Sequence, residues 1–270
     1  MDVLTFGESM VAFSSMNRQS FVHNKQATIS VAGAESNTAT ALARLNHNVR
    51  WVSRVGEDVF GQIILKTLQA EGINTEGVKK DPEKQTGVMF KEKKPLLNTE
   101  VLYYRRNSAA TSLSIEDIDL EWIKESKIVH ITGITPSLSD SCRNLVTEVI
   151  KLCKKYNKII SFDPNVRLKL WDIEEARKVL LPIIQESDIF LPGMEELKLL
   201  FDLDSFQDIE RKLTEWNIPT IVVKDGAKGA WLIEDNQKVF VEAFKINDVV
   251  DEVGAGDAFA AGFLHGYIKS

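Results

Sequence analysis

Between residues 249 and 263 the sequence reads VVDEVGAGDAFAAGF. Gly254, Ala255, Gly256 and Asp257 stand between an extended run and a helical one. A helix N-terminus leaves backbone N–H groups unpaired, and its dipole favours negative charge. Glycines there let the backbone approach an anion closely. Gly254, Ala255 and Gly256 therefore read as a cradle for charge developing on a phosphoryl group. Asp257 beside them has the chemistry of a general base, a carboxylate able to accept the proton of an attacking hydroxyl. Taken alone, the same four residues also fit a loop whose Asp caps the helix. Two other phosphate motifs are excluded. A dinucleotide fingerprint needs a third glycine where Phe259 stands. A Walker A loop needs a Gly-Lys-Ser/Thr triplet, and none occurs.

A second group of residues suits recognition of a carboxylate, because the planar guanidinium of arginine offers it two parallel hydrogen bonds. Arg167 follows an extended run at 158–163, and ligands of open α/β sheets bind beyond strand ends. Arg105 ends another extended run, 100–105, and Tyr103 shares a strand face with it. Arg106 is turned the other way by the same alternation and reads as a solvated charge. Each of the two arginines also fits a solvated surface charge, and Tyr103 also fits packing within a small sheet.

These residues need a scaffold. Extended runs at 3–6, 49–54, 127–132, 158–163, 188–191 and 220–224 alternate with helical patterns at 35–45, 59–71, 139–156, 173–186 and 206–216. Runs such as TIVVK are apolar throughout, which suits strands buried on both faces. The alternation predicts an α/β chain with a doubly wound, mostly parallel sheet flanked by helices. Two stretches break the rhythm. Residues 26–31 follow the first strand too soon for a crossover helix, and 87–92 with 100–105 form a hairpin around KKPLLN, where lysines and Pro95 suit exposure. They predict a small β-sheet lid, built from about 8–32 and 86–107 within a single domain spanning 1–270. The lid is also the expected surface for a homo-oligomer.

Composition narrows the function. The chain has 270 residues, 44% of them hydrophobic, enough for one large core. Its 33 Lys and Arg against 39 Asp and Glu give a net charge of −6, and no basic run occurs, so nucleic acid is not an expected partner. Cys142 and Cys153 lie on one helical stretch without a Cys-x-x-Cys or a His at ligand spacing, which fits a reducing cytoplasm rather than a disulfide or zinc framework. The first ten residues read as a strand and not as a signal peptide. No run of about 18 apolar residues offers a membrane span.

Three segments in fixed order carry a family resemblance: VAGAESNTATALARLN (31–46), VSRVGEDVFG (52–61) and VVDEVGAGDAF (249–259). With SFDPNVR (161–167) and VVKDGAKGA (222–230) they resemble the PfkB, or ribokinase-like, carbohydrate kinases, from Val3 to about Gly266. Within that family GAESN, YYR, DPNVR, ITGITPSLS and LPGMEE are most similar to the branch acting on sugar acids. The resemblance implies a ribokinase-like fold and transfer of phosphate from ATP, with Mg2+, to the terminal hydroxyl of 2-keto-3-deoxygluconate. The same-class alternatives are fructose or 2-keto-3-deoxygalactonate as substrate; a non-catalytic sensor of sugar acids or nucleotides is the alternative outside catalysis. By the resemblance, Gly33, Ala34 and Asn37 hold sugar hydroxyls, while Tyr103, Arg105 and Arg167 orient the acid and Asp257 contacts it. Asn165, Lys224, Gly226, Lys228 and Gly229 line the nucleotide site with Gly254 and Gly256. Glu195 matches the acid of an Asn-x-x-Glu motif that organises magnesium through water, and a monovalent cation is implied beside the anion hole.

Read alone, several of these residues fit simpler roles. KDGAKG (224–229) is also an ordinary tight turn. Asn37 fits a turn at a helix start, and Glu195 with Glu196 fits a solvated first helical turn.

The sequence departs from the family pattern at three places. Pro192 stands where the motif has Asn, Glu252 where it prefers a small residue, and Asn46 where it has a glycine. The helix from Gly256 has Phe259, Phe263 and Tyr267 at i, i+4 and i+8, with small residues over much of the rest. Such a helix is expected to be buried on more than one side. Relatives continue past it, so the expectation is a C-terminus shortened relative to the family, or a helix covered by self-association, with weak affinity for ATP.

Overall fold

Leu4 and Phe6 face one side of the first strand and Val3 the other, and all three are fully buried. A strand apolar on both faces needs helices above and below it. The computed structural model describes residues 1–16, 19–92, 100–235, 237–246 and 253–270. Their strands, in chain order, are β1 (Val3–Phe6), β2 (Met10–Ser15), β3 (Ala27–Ala32), β4 (Val49–Val52), β5 (Arg54–Gly56), β6 (Lys79–Asp81), β7 (Val88–Glu92), β8 (Glu100–Tyr104), β9 (Ile128–Thr132), β10 (Ile159–Asp163), β11 (Ile189–Phe190), β12 (Thr220–Lys224), β13 (Gly229–Glu234) and β14 (Gln237–Glu242). The helices are α1 (Ala34–Arg44), α2 (Val59–Ala70), α3 (Leu120–Glu125), α4 (Thr135–Leu138), α5 (Asp140–Lys155), α6 (Ile173–Gln185), α7 (Met194–Phe201), α8 (Phe206–Glu215) and α9 (Ala255–Lys269).

Eight strands form the main sheet in the order β14-β13-β12-β11-β10-β9-β1-β4. Neighbours from β12 through β4 run parallel, and β13 and β14 complete it antiparallel. On one face Leu4, Phe6, Ile131, Phe162 and Val223 pack against α5 through Leu145, Val146 and Val149 and against α6 through Leu180 and Ile184. On the other face Val3, Val49, Trp51, Ile128 and Val222 meet Leu42 of α1, Ile64 of α2 and Ala260, Ala261 and Leu264 of α9. Truncating any of the fully buried leucines to alanine costs about 2–5 kcal/mol. From β1 the chain steps to β4 on one side and to β9 on the other, so the order reverses between β1 and β9. The crevice beyond the carboxyl ends of strands at such a reversal is where open α/β sheets bind ligands.

The small sheet has the order β3-β2-β7-β8. Its inward face presents Met10, Ala32, Met89, Lys91, Val101 and Tyr103 to the crevice. Its outward face carries Phe13 stacked on Phe90, with Tyr104 edge-on to Phe90, and leaves Ile29, Leu102 and Tyr104 exposed. The KKPLLN turn, including Pro95, lies outside the described residues, as do Asp251 and Glu252. Asn46 takes the left-handed conformation, φ 65°, that a glycine would otherwise supply after α1.

α9 is covered on one side. Asp257, Ala260, Ala261 and Leu264 are buried on the side that packs against α1, whereas Ala258, Phe259, Gly262 and Gly266 are exposed. Among the described residues no helix is long and apolar enough to cross a membrane.

Candidate active site

The carboxyl ends of β1, β9, β10 and β12, the start of α9 and the inward face of the small sheet enclose one cleft of about 1280 Å³. Asp257 lines it, in the first turn of α9 and 9% exposed. Its Oδ2 accepts a 2.7 Å hydrogen bond from Asn37 Nδ2, and its backbone oxygen accepts from Thr38 Oγ1 at 3.4 Å. Both donors ride on α1, so the packing of α1 against α9 fixes the carboxylate. Burial pushes the Asp257 carboxyl above the usual carboxylate range, while the Asn37 hydrogen bond and the charges of Arg167 and Lys224 pull it back. A raised carboxyl is a better proton acceptor when ionised.

Gly254 caps this helix with φ at 88°, a conformation that needs glycine. The first hydrogen bond of the helix runs from Ala258 N–H to Gly254 O at 2.9 Å, so the N–H groups of Ala255, Gly256 and Asp257 precede the ladder. A side chain on Gly256 would point into the space beside Lys224, with Nζ 3.8 Å from its Cβ. Gly256 thus keeps open the approach between an ammonium group and a helix N-terminus. That is a place for a phosphate.

Lys224 ends β12 and donates from Nζ to Asp163 Oδ2 at 2.6 Å. Asp163 also accepts the Asn165 N–H at 3.1 Å, which turns the chain through Asn165 at φ 37°. The Asn165 side-chain oxygen is buried in the cleft wall with no partner among the described residues. Gly226, Lys228 and Gly229, read from the sequence as nucleotide contacts, do not line the cleft. They shape the turn between β12 and β13, where Lys228 pairs with Asp225 at 3.3 Å.

Glu195, the acid that the sequence assigns to magnesium, does not line the cleft. Glu195 is 80% exposed and pairs with Lys198 at 2.8 Å. Glu196 lines the cleft instead, accepting 2.8 Å hydrogen bonds from the N–H groups of Gly193 and Val166. Glycine 193 caps α7, and Glu196, its third residue, folds back on that cap. The Asn-x-x-Glu spacing is therefore met by Gly193 and Glu196, one residue later than the sequence reading set it. Burial, then the Asp163 charge, push the Glu196 carboxyl up. Among the described residues no three His, Cys, Asp or Glu side chains are grouped to hold a metal. Asp163, which accepts from the Lys224 ammonium, and Glu196, which feels the charges of both, are a sparse oxygen set of the kind that magnesium accepts while keeping water.

At the opposite end, Gly33, Ala34, Tyr103, Arg105 and Arg167 all line the cleft. Arg105 is not free: its guanidinium pairs with Glu8, an acid that the sequence reading did not single out. Glu8 is buried and also accepts from Ser108 Oγ at 2.5 Å. Arg105 therefore offers direction rather than net charge to a ligand. Arg167 is exposed in the cleft and has no ion pair among the described residues. Arg106 is exposed, as the strand alternation predicted, but it too reaches the cleft.

A second unforeseen acid lies below. Glu35, in the first turn of α1, is fully buried and accepts from Thr132 and Thr135 hydroxyls at 2.7 Å each. Gly7 at the end of β1 makes the room, since a side chain there would run into the Glu35 carboxyl. Burial pushes this carboxyl up to about 7, against the pull of the two hydroxyls.

The profile of the pfkB family carbohydrate kinases matches residues 1–270. The 2-dehydro-3-deoxygluconokinase of Bacillus subtilis (strain 168) is 35% identical, with the match covering 99% of this chain and 83% of that protein. The probable fructokinase-6, chloroplastic, of Arabidopsis thaliana is 32% identical over 97% of this chain and 69% of its own length. Among solved structures, an E. coli chain assigned as a ribokinase II, in complex with ATP and Mg2+, superposes with a TM-score of 0.89 at 26% identity, covering 100% of this chain and 86% of the other.

Proposed function

Because this chain belongs to the pfkB family of carbohydrate kinases, we propose that it phosphorylates the terminal hydroxyl of 2-keto-3-deoxygluconate. Kinases of this family use ATP with Mg2+. The observation that carries the sugar-acid reading is Arg167, an arginine without an ion pair in the cleft that also holds Asp257. A carboxylate pairs with such a guanidinium in two charge-assisted hydrogen bonds, which a neutral sugar does not offer. Similarity to both a 2-dehydro-3-deoxygluconokinase and a fructokinase keeps the neutral sugar as the competing substrate.

In this reading the sugar lies between the small sheet and α1. Gly33, Ala34 and Asn37 meet its hydroxyls, and Arg167, Arg105 and Tyr103 orient its acid. Asp257 accepts the proton of the terminal hydroxyl, while Asn37 holds the carboxylate in place. When bound, MgATP supplies the phosphoryl group and a metal that neutralises phosphate charge. The N–H groups of Ala255, Gly256 and Asp257, with the Lys224 ammonium, face the charge that develops there. Asn165 would meet the nucleotide, and Asp163 and Glu196 would hold the water shell of the ion. Positioning and electrostatics do most of the work in phosphoryl transfer. We place the enzyme in the cytoplasm and assign self-association to the outward lid face with exposed Ile29, Leu102 and Tyr104.

The test is ATP-dependent turnover on 2-keto-3-deoxygluconate, 2-keto-3-deoxygalactonate and fructose. The expected result is the highest kcat/KM on 2-keto-3-deoxygluconate. Preference for fructose overturns the sugar-acid reading, and no turnover on any sugar supports a sensor.

A further inference from the structure

The geometry points to Lys169 as a positioning residue, one whose charge ties the free edge of the lid to the body beside the sugar acid. The inference rests on the sugar-acid reading above.

Among the described residues β8 pairs only with β7, so it is the outer strand of the small sheet. Edge strands present carbonyl groups that no neighbour takes. One of these, Val101 O, accepts a 3.0 Å hydrogen bond from Lys169 Nζ. Lys169 lies outside the lid. It sits on the turn after β10 that closes with Leu170 N–H on Arg167 O at 2.8 Å. The same ammonium lies 5.7 Å from the centre of the Tyr103 ring, and the Arg105 guanidinium lies 5.8 Å from that centre. Tyr103 is thus held by two cations, one from each side of the cleft. Each such contact is attractive through the ring quadrupole.

A carbonyl and a ring face hold an ammonium without neutralising it. Among the described residues no carboxylate pairs with Lys169 or with Arg167, two positions before it. A sugar carboxylate at Arg167 supplies the missing negative charge. It stabilises Lys169 where it is, and with it the strand that carries Tyr103. Binding of the acid and closure of β8 over it are then one event, through a residue that need not touch the sugar.

Lys169→Met keeps the stem and removes the charge and the donor, whereas Lys169→Arg keeps both. The Met variant is expected to raise KM for 2-keto-3-deoxygluconate by roughly tenfold, the order of one charge-assisted hydrogen bond, with kcat within about threefold. Amide exchange across residues 100–104 is expected to quicken in the free Met variant and to slow much less on adding the sugar acid than in the parent. The Arg variant is expected to restore both measures. Parental exchange at 100–104 in the Met variant overturns the proposal, as does a fall in kcat at constant KM. If the parent phosphorylates no sugar acid, the substrate reading fails, and exchange in the free chain still decides whether Lys169 holds the lid.

Discussion

Asn37 Nδ2 donates to Asp257 Oδ2 across 2.7 Å, joining residues 220 positions apart in the sequence. The bond occupies Oδ2 and leaves Oδ1 without a hydrogen-bond donor among the described residues. If Asp257 is the base, Asp257→Asn keeps the shape and loses the proton acceptor. Turnover is expected to fall by ~10²–10⁴ with sugar affinity nearly unchanged. Steady-state kinetics with direct sugar binding check this, and turnover within a few-fold of the parent removes Asp257 from the role.

The same hydrogen bond predicts a pH effect. Burial raises the Asp257 carboxyl and Asn37 lowers it. The ionised form is the base, so activity is lost as pH falls through the folded-state value. Asn37→Ala removes a lowering influence and is expected to move the acidic limb of kcat/KM to higher pH. An unmoved limb in the pH–rate profile shows that another group controls it.

Arg167 should discriminate by charge. Charge-assisted hydrogen bonds contribute about 1.5–3 kcal/mol, or roughly 10- to 150-fold in affinity. Arg167→Ala is expected to weaken 2-keto-3-deoxygluconate by that order and its neutral analogues little. Equal losses by calorimetry refute carboxylate recognition at this residue.

Glu196 and Glu195 form a matched pair of controls. Glu196→Gln is expected to raise the Mg2+ concentration for half-maximal rate by roughly 10- to 100-fold, the range found for groups that orient a metal site. Glu195→Gln, in an exposed pair with Lys198, is expected to stay near the parent. A magnesium titration with the two effects reversed restores the sequence-based choice of Glu195.

Glu35 predicts how stability depends on pH. Its folded-state value of about 7 lies above the ordinary 4.5. The stabilisation from binding this proton is complete below about pH 4.5 and is lost as pH rises through about 7. Between pH 5 and pH 8 the parent should lose on the order of 2–3 kcal/mol through this group, and Glu35→Gln should not. Urea unfolding at the two pH values measures the difference, and parallel slopes for both proteins exclude it.

Much of this was legible in the sequence because it is local. TIVVK announces β12 through an unbroken apolar run, and its bounds, Thr220–Lys224, are those expected. The glycines before Asp257 mark a helix start by conformation alone. Glu8 and Glu35 were not legible, because what defines them is a distant partner. Arg105 lies 97 positions from Glu8, and Thr132 lies 97 from Glu35. Neither acid has a local pattern to distinguish it from a solvated charge. Which of Glu195 and Glu196 faces the cleft was not legible for a finer reason: adjacent residues on a helix start differ by about 100° in direction, and only the cap at Gly193 sets which one turns inward.

The place of β1 in the sheet has a consequence for how the protein is made. β1 is the first strand of the chain, yet it lies between β4 and β9, and both of its neighbours are synthesised after it. Its edge toward β9 stays open on the ribosome until about residue 132 has emerged. Asn37 waits longer still, since Asp257 arrives more than two hundred residues later. For most of its synthesis the nascent chain is a sheet without a base, unable to transfer phosphate and carrying apolar strand edges. The order of translation thus supplies the base only after the sheet and the lid have been made, and makes the early intermediate a natural client for chaperones.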